Sequence, residues 1–160
     1  MLNINILCIG KLKEKYLKDA CLEYSKRLGA FCRVEITELA EERCGENPSQ
    51  AEIDRVITAE GKRLLQKAEK YDLIISMCIE GSQMSSHELA EYIEKSAVSG
   101  KSSFAVVIGG SFGLCDEIKR KSALRLSMSK MTFPHQLARV MVLEQLYRSF
   151  QITSGGKYHK

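Results

Sequence analysis

The sequence predicts an α/β fold, a mainly parallel sheet of five to six strands with helices on both faces. Three observations carry this expectation. Five strand-like segments alternate along the chain with five helical ones, the pattern of parallel sheets covered on both sides. Two of the strand-like segments, residues 72–79 and 103–108, are continuous apolar runs, as expected of strands buried on both faces. No linker, repeat or low-complexity block divides the chain, so residues 1–160 read as one domain with a single core.

In order, residues 1–10 begin in alternation and end apolar, which reads as a strand. Residues 11–28 carry Leu12, Tyr16, Ala20, Leu22, Tyr24 and Leu28 at helical spacing with lysines opposite. Residues 33–39 alternate as a second strand and lead into an acidic, polar loop, 40–49, the segment least able to order itself. Ser49 followed by Glu52 is a capping-box signature for a helix running to about Tyr71. Gly61 interrupts that helix at a cost of roughly 1 kcal/mol relative to alanine. The apolar strand 72–79 ends in a loop, 80–84, and Ser85 or Ser86 caps a helix to Val98. The strand 103–108 ends in Gly109-Gly-Ser-Phe-Gly113, followed by a short basic helix, 114–123, and a fifth strand, 124–129. Pro134 sets φ for the first turn of a last helix, 134–151, and the tail 153–160 is polar and glycine-rich.

Composition narrows the function classes. No apolar run approaches the roughly 18 residues that a membrane span needs, and the apolar start lacks a preceding basic region, so a cytoplasmic protein is expected. The six cysteines lie at least ten residues apart, which excludes a C-x-x-C pair or zinc-finger spacing and makes them structural, reduced thiols. The net charge of +4 is unevenly spread: residues 1–80 hold 13 bases and 14 acids, residues 81–160 hold 11 and 6. From residue 100 onward ten bases face three acids, a footprint for a polyanion, although taken alone a solvated charged face is the slightly better-supported reading.

The motifs demote the common nucleotide folds. The first strand-to-helix turn is Ile9-Gly-Lys-Leu-Lys13, with one glycine where a dinucleotide-binding turn needs G-x-G-x-x-G, and no phosphate-binding G-x-x-x-x-G-K-[ST] occurs. Glycines cluster after the fourth strand, where they permit close backbone approach to a ligand or simply a tight turn. The loops 80–84, 109–113 and 129–134 all follow carboxyl ends of strands and so can converge on one crevice. Walls of Met77, Phe112, Met128, Met131 and Phe133 suit an uncharged, adenine-like ring, although the same residues suit a plain core. His87 and His135 read as solvated or structural. The pair Tyr158-His159, flanked by Lys157 and Lys160, has chemistry to offer in a tail that otherwise frays. The last helix carries two apolar stripes, Leu137, Val140 and Met141 against Leu143, Leu146, Tyr147 and Phe150, enough for a sheet on one side and a symmetric partner on the other.

Val107-Ile-Gly-Gly-Ser-Phe-Gly-Leu114, Leu126-Ser-Met-Ser-Lys-Met-Thr-Phe-Pro-His-Gln-Leu-Ala-Arg139, Glu144-Gln-Leu-Tyr-Arg-Ser-Phe-Gln-Ile152 and the terminal Tyr158-His159 closely resemble the bacterial ribosomal RNA large subunit methyltransferase H family, of the SPOUT class. The resemblance spans essentially the whole chain. It implies a C-terminal trefoil knot, an exception to the rule against knots, and a homodimer that binds S-adenosylmethionine and uses no metal. The implied reaction methylates N3 of a pseudouridine in 23S rRNA, in the 50S subunit or the 70S ribosome. By position, Met77, Gly109, Met128, Ser129, Lys130, Met131, Thr132 and Phe133 would contact the cofactor. Family members often carry leucine where Met77 stands, a swap that conserves volume. Tyr158 and His159 would reach across the dimer to the partner's cofactor, with Arg148 beside them as the third catalytic residue. The rival readings are a SPOUT methyltransferase acting on another RNA, or a non-enzymatic ribosome- or RNA-binding protein.

Overall fold

The computed structural model describes residues 1–160. Five strands, β1 (Asn3–Ile9), β2 (Arg33–Leu39), β3 (Leu73–Gln83), β4 (Ser103–Ile108) and β5 (Leu124–Ser127), pair in parallel in the order β2-β1-β4-β3-β5. The helices are α1 (Lys15–Leu28), α2 (Gln50–Ala68), α3 (Ser86–Val98), α4 (Asp116–Lys121) and α5 (His135–Thr153). The period-2 alternation of the strands sorts the core into two layers. Ile4, Ile6, Cys8, Phe104, Val106 and Ile108 meet α1, α3 and α5 through Cys21, Leu28, Leu89, Ile93, Leu143 and Leu146. Leu7, Ile9, Ile74, Ala105 and Val107 meet α2 and α4 through Leu64, Ala68 and Ile118. Each fully buried leucine or isoleucine of these layers contributes about 1.5–3 kcal/mol. No helix is long and apolar enough to cross a membrane.

Local signals decide the helix starts. Ser49 accepts the amide of Glu52, and Ser85 forms the full capping box with Glu88, whose carboxylate takes the Ser85 N–H at 2.6 Å. Gly61 has a packing reason: a Cβ there would lie 2.4 Å from the Cys115 sulfur, so the glycine lets α4 approach α2. All six cysteines are free thiols, and burial pushes Cys8 up to about 12 and Cys32 to about 11, so these two remain protonated small hydrophobes.

Three expectations need correction. The loop 40–49 is not a disordered piece, because α2 holds it: Arg63 donates to Ala40 O and Arg55 to Arg43 O, both at 2.9 Å, and Arg55 pairs with Glu42 at 3.0 Å. One of the acids that suggested disorder, Glu42, is shared by both arginines. The strand expected to stop at Ile79 runs on to Gln83, since a bulge lets both Met77 and Ser82 pair with Leu126 of β5. The strand expected to reach Ser129 stops at Ser127, whose hydroxyl donates to Ser129 O at 3.0 Å and turns the chain. The remaining differences are of a few residues at element ends.

The bulge brings Gly81 against β5, where a Cβ would sit 2.6 Å from Arg125 O and 2.7 Å from its carbonyl carbon. Backbone atoms cannot swing aside as a side chain can. Gly81→Ala is therefore expected to cost about 1–3 kcal/mol of stability in urea unfolding; an unchanged midpoint would mean that the bulge relaxes freely.

Candidate active site

The sheet order places β4, β3 and β5 side by side, so the loops that follow them open at one edge. Met77 lies half-buried on β3 in register with Leu126 and packs on the core from the α5 side. Gly109, the first residue after β4, is buried, and a Cβ on it would lie 2.8 Å from the Gly113 carbonyl. Close approach, rather than φ, requires glycine there. Gly113 supplies the turn itself with φ +88° and donates its N–H to Gly110 O at 3.1 Å. After β5, Met128 and Ser129 are half-buried, and Ser129 accepts the Met131 amide at 3.0 Å through its hydroxyl. Lys130, Met131 and Thr132 project into solvent and Phe133 turns partly inward.

The eight cofactor candidates thus share one edge of the sheet without sharing one cavity. A cleft of about 430 Å³ between β5, α3 and α5 is lined by Tyr24, Met84, Leu126, Met128, Val140 and Glu144. Only Met128 of the candidates opens into it. The others flank the loops whose backbone amides are the available donors.

The three catalytic candidates meet on α5. Arg148 donates through Nη1 to His159 Nδ1 at 3.0 Å and lies over the Tyr158 ring at 4.8 Å. Tyr158 donates its hydroxyl to Glu144 Oε1 at 3.1 Å and packs edge-on against Tyr147. His159 sits against the His87 ring at 4.7 Å, at the start of α3. The tail therefore folds back onto its own chain, with Tyr158 and His159 half-buried. Glu144, which sequence reasoning passed over, is the hub: it accepts Arg148 Nε at 2.9 Å and Nη2, the Tyr158 hydroxyl, and on its other oxygen Gln145 Nε2 at 2.8 Å. The i, i+4 spacing of Glu144 and Arg148 on a helix could have revealed the pair; its contact with a tail ten residues further on could not be read from spacing.

The electrostatics assign protonation states. Burial first, then the Tyr24 hydroxyl and the Glu144 carboxylate, push the Tyr158 phenol up to about 12, so it stays a donor throughout the physiological range. A guanidinium has no acceptor, so His159 receives the Arg148 hydrogen bond on an unprotonated Nδ1 and, when neutral, carries its proton on Nε2.

The family model described as a predicted SPOUT methyltransferase matches residues 2–159. A ribosomal RNA large subunit methyltransferase H from Bacillus thuringiensis subsp. konkukian is 51% identical over 159 residues, covering 99% of this chain and 100% of the relative. A protein of the same name from Clostridium kluyveri is 45% identical over the same coverage. Among solved structures, a probable methylase family protein from Haemophilus influenzae Rd KW20 aligns with a TM-score of 0.56 at 15% identity, over 98% of this chain and 70% of that one. A Legionella pneumophila protein in complex with the bound cofactor SAM aligns with a TM-score of 0.52 at 17% identity, over 95% and 66%. The structural neighbours carry the fold, the sequence relatives carry the kinship, and the chain belongs to the SPOUT methyltransferase family, among the ribosomal RNA large subunit methyltransferases H.

Proposed function

We propose that this protein methylates N3 of a pseudouridine in 23S rRNA, within the 50S subunit or the 70S ribosome, with S-adenosylmethionine as methyl donor. The observation that carries the reading is the gathering of the glycine loop, the bulged end of β3 and the 128–133 run at one sheet edge, in a chain with full-length relatives of that name. The residues fit the cofactor: Gly109 and Gly113 clear the loop of side chains, while Met77, Met128 and Phe133 offer apolar, uncharged contact to an adenine ring. Bound there, S-adenosylmethionine supplies an electrophilic methyl group on a sulfonium leaving group.

What the protein must add is alignment and a deprotonated imide nitrogen. Arg148 is suited to hold the pyrimidine as its negative charge develops, because Glu144 fixes its fork by two N–H bonds. Tyr158 steadies that fork by donating its hydroxyl to Glu144 and by lying against the guanidinium face. His159, with Nδ1 taken by Arg148, keeps its Nε2 edge for the ring or a phosphate.

We further infer a homodimer in which this cluster faces the partner's cofactor loops. Leu137, 40% exposed, with half-buried Val140 and Met141, supplies an apolar surface for the partner. The trefoil knot rests on membership of the SPOUT methyltransferase family. One domain, 1–160, acts in the cytoplasm, and the late basic surface of two subunits reads the RNA through its phosphates.

The deciding experiment offers labelled S-adenosylmethionine to 70S ribosomes, separated subunits and tRNA from cells lacking the protein, and maps the labelled nucleotide. Label on one 23S pseudouridine supports the assignment, and binding to the particle should weaken steeply with salt. Label on tRNA would move the reaction to another RNA, and the absence of both label and a thermal shift with S-adenosylhomocysteine would leave an RNA-binding protein.

A further inference from the structure

A second crevice, of about 800 Å³, lies over the carboxyl ends of β1 and β4, on the far side of the glycine loop from β3 and β5. This is where the sheet changes direction: the helix after β1 packs on one face and the helix after β4 on the other. Open α/β sheets bind ligands at such a point because the two departing loops separate there. Gly10, Lys11 and Lys13 of the first loop and Ser111 and Phe112 of the second line the crevice, with Arg43 at its far rim. Phe112 shares the glycine loop with Gly109, so an occupant would sit just across that loop from the cofactor edge.

The floor holds a carboxylate with one oxygen unused. Glu60 of α2 is 3% exposed, and its Oε2 accepts the Glu42 amide at 3.1 Å. Its Oε1 has no partner. A carboxylate oxygen buried without a donor costs a desolvation penalty that nothing else in the fold repays. Gly110 packs directly against this carboxylate: a Cβ there would lie 2.9 Å from Oε1 and 3.4 Å from Oε2, so glycine lets the loop after β4 come this close. Of the other acids lining the crevice, Glu38 is paired with Arg139, and Glu42 with Arg55 and Arg63. Glu41 alone remains unpaired, against Lys11, Lys13 and Arg43, none of which is in an ion pair. No three side chains are grouped to hold a metal, so Glu60 is an acceptor for a hydrogen-bond donor rather than a ligand.

We propose that this crevice takes an unstacked nucleotide of the RNA substrate, its base lying on Phe112 and giving an exocyclic amine to Glu60 Oε1, its phosphates on Lys11, Lys13 and Arg43. Aromatic stacking and a hydrogen-bonded Watson–Crick edge are how single-stranded RNA is read. With one oxygen available, a projecting amine of adenine or cytosine fits; the imide N–H of uracil is recessed between two carbonyl oxygens that the carboxylate repels. The proposal rests on the RNA-methyltransferase reading and adds to it a nucleotide other than the methylated one.

The test is an amide NMR titration of the full chain held with saturating S-adenosylhomocysteine, which keeps adenine out of the cofactor edge. A failure of that analogue to bind would strike the methyltransferase reading first and separately. AMP and CMP should shift the amides of Lys11, Ser111 and Phe112 and bind several-fold tighter than UMP. A single-stranded adenylate tetramer should bind about tenfold tighter than AMP, since added phosphates engage the basic rim. Phe112→Ala, at a 37% exposed position, should weaken AMP about tenfold without unfolding the protein. Glu60→Gln should abolish the preference of AMP over UMP, with the melting temperature as control. The proposal is overturned by shifts elsewhere, by an unchanged preference in Glu60→Gln, or by equal affinity for AMP and the tetramer, which would mark a free-nucleotide site.

Discussion

Replacing Arg148 by alanine is expected to lower kcat for methyl transfer about 100-fold. Arg148 is the only member of the tail cluster that touches all the others: it binds Glu144 by two N–H groups, His159 by a third and the Tyr158 ring by its face. Its removal leaves Glu144 with uncompensated charge beside Tyr158 and frees His159 to leave its position. In the proposed role the guanidinium acts on the transition state, so kcat and kcat/KM should fall together, with S-adenosylhomocysteine affinity changed less than about twofold. Arg148→Lys should recover little, since an ammonium cannot offer the fork that Glu144 and His159 share. His159→Ala should also reduce turnover and leave cofactor affinity intact. Turnover within about threefold of the wild type in Arg148→Ala would remove the cluster from the reaction.

Glu38→Ala should destabilise the fold by about 3 kcal/mol, because it strands a buried charge. Arg139 on α5 is 2% exposed; its Nη1 pairs with Glu38 Oε2 at 2.7 Å, its Nη2 donates to Gly10 O at 3.3 Å and its Nε has no partner. The same Glu38 oxygen accepts the Leu12 amide at 2.9 Å, so one carboxylate ties β2 to α5 and to the loop after β1. The lower end of the range for broken buried pairs is appropriate, since Glu38 itself reaches solvent. The double change Glu38→Ala/Arg139→Met should recover most of the loss in urea unfolding, and a double variant as unstable as the single one would refute the stranded-charge account.

The same pair gives a pH dependence. Burial alone would raise the Glu38 carboxyl, but the Arg139 and Leu12 hydrogen bonds and the Arg139 charge outweigh it and hold it below its ordinary 4.5. The unfolded chain then takes up the proton first. The stabilisation is complete above about pH 4.5 and is lost as the pH falls through the lower folded-state value. Glu38→Gln should flatten that acid limb of the stability profile.

Five strands and five helices were legible because their periodicities are strong: the apolar runs of β3 and β4 and the serine caps of α2 and α3 need no tertiary knowledge. The cofactor candidates were legible through motif likeness, and the sheet order then made their loops neighbours. Two features escaped because long-range contacts override local composition. The polar loop 40–49 is ordered by arginines more than ten residues away, and the polar tail is ordered by an α5 side chain, Glu144, whose local spacing marks its pair with Arg148 but not its contact with the tail.

By itself the sequence determined the fold class, the kinship and the residue types offered at the sheet edge, since periodicity, capping and motif are properties of neighbouring residues. Tertiary structure alone decided that β3 bulges to give Leu126 two partners, that Arg148, Tyr158, His159 and Glu144 form one cluster, and that Glu60 is buried with an unused oxygen beneath the β1–β4 crevice. Each depends on chain segments meeting across a sheet or around a helix, where the free energy of a contact is set by what packs against it and not by what precedes it in the chain.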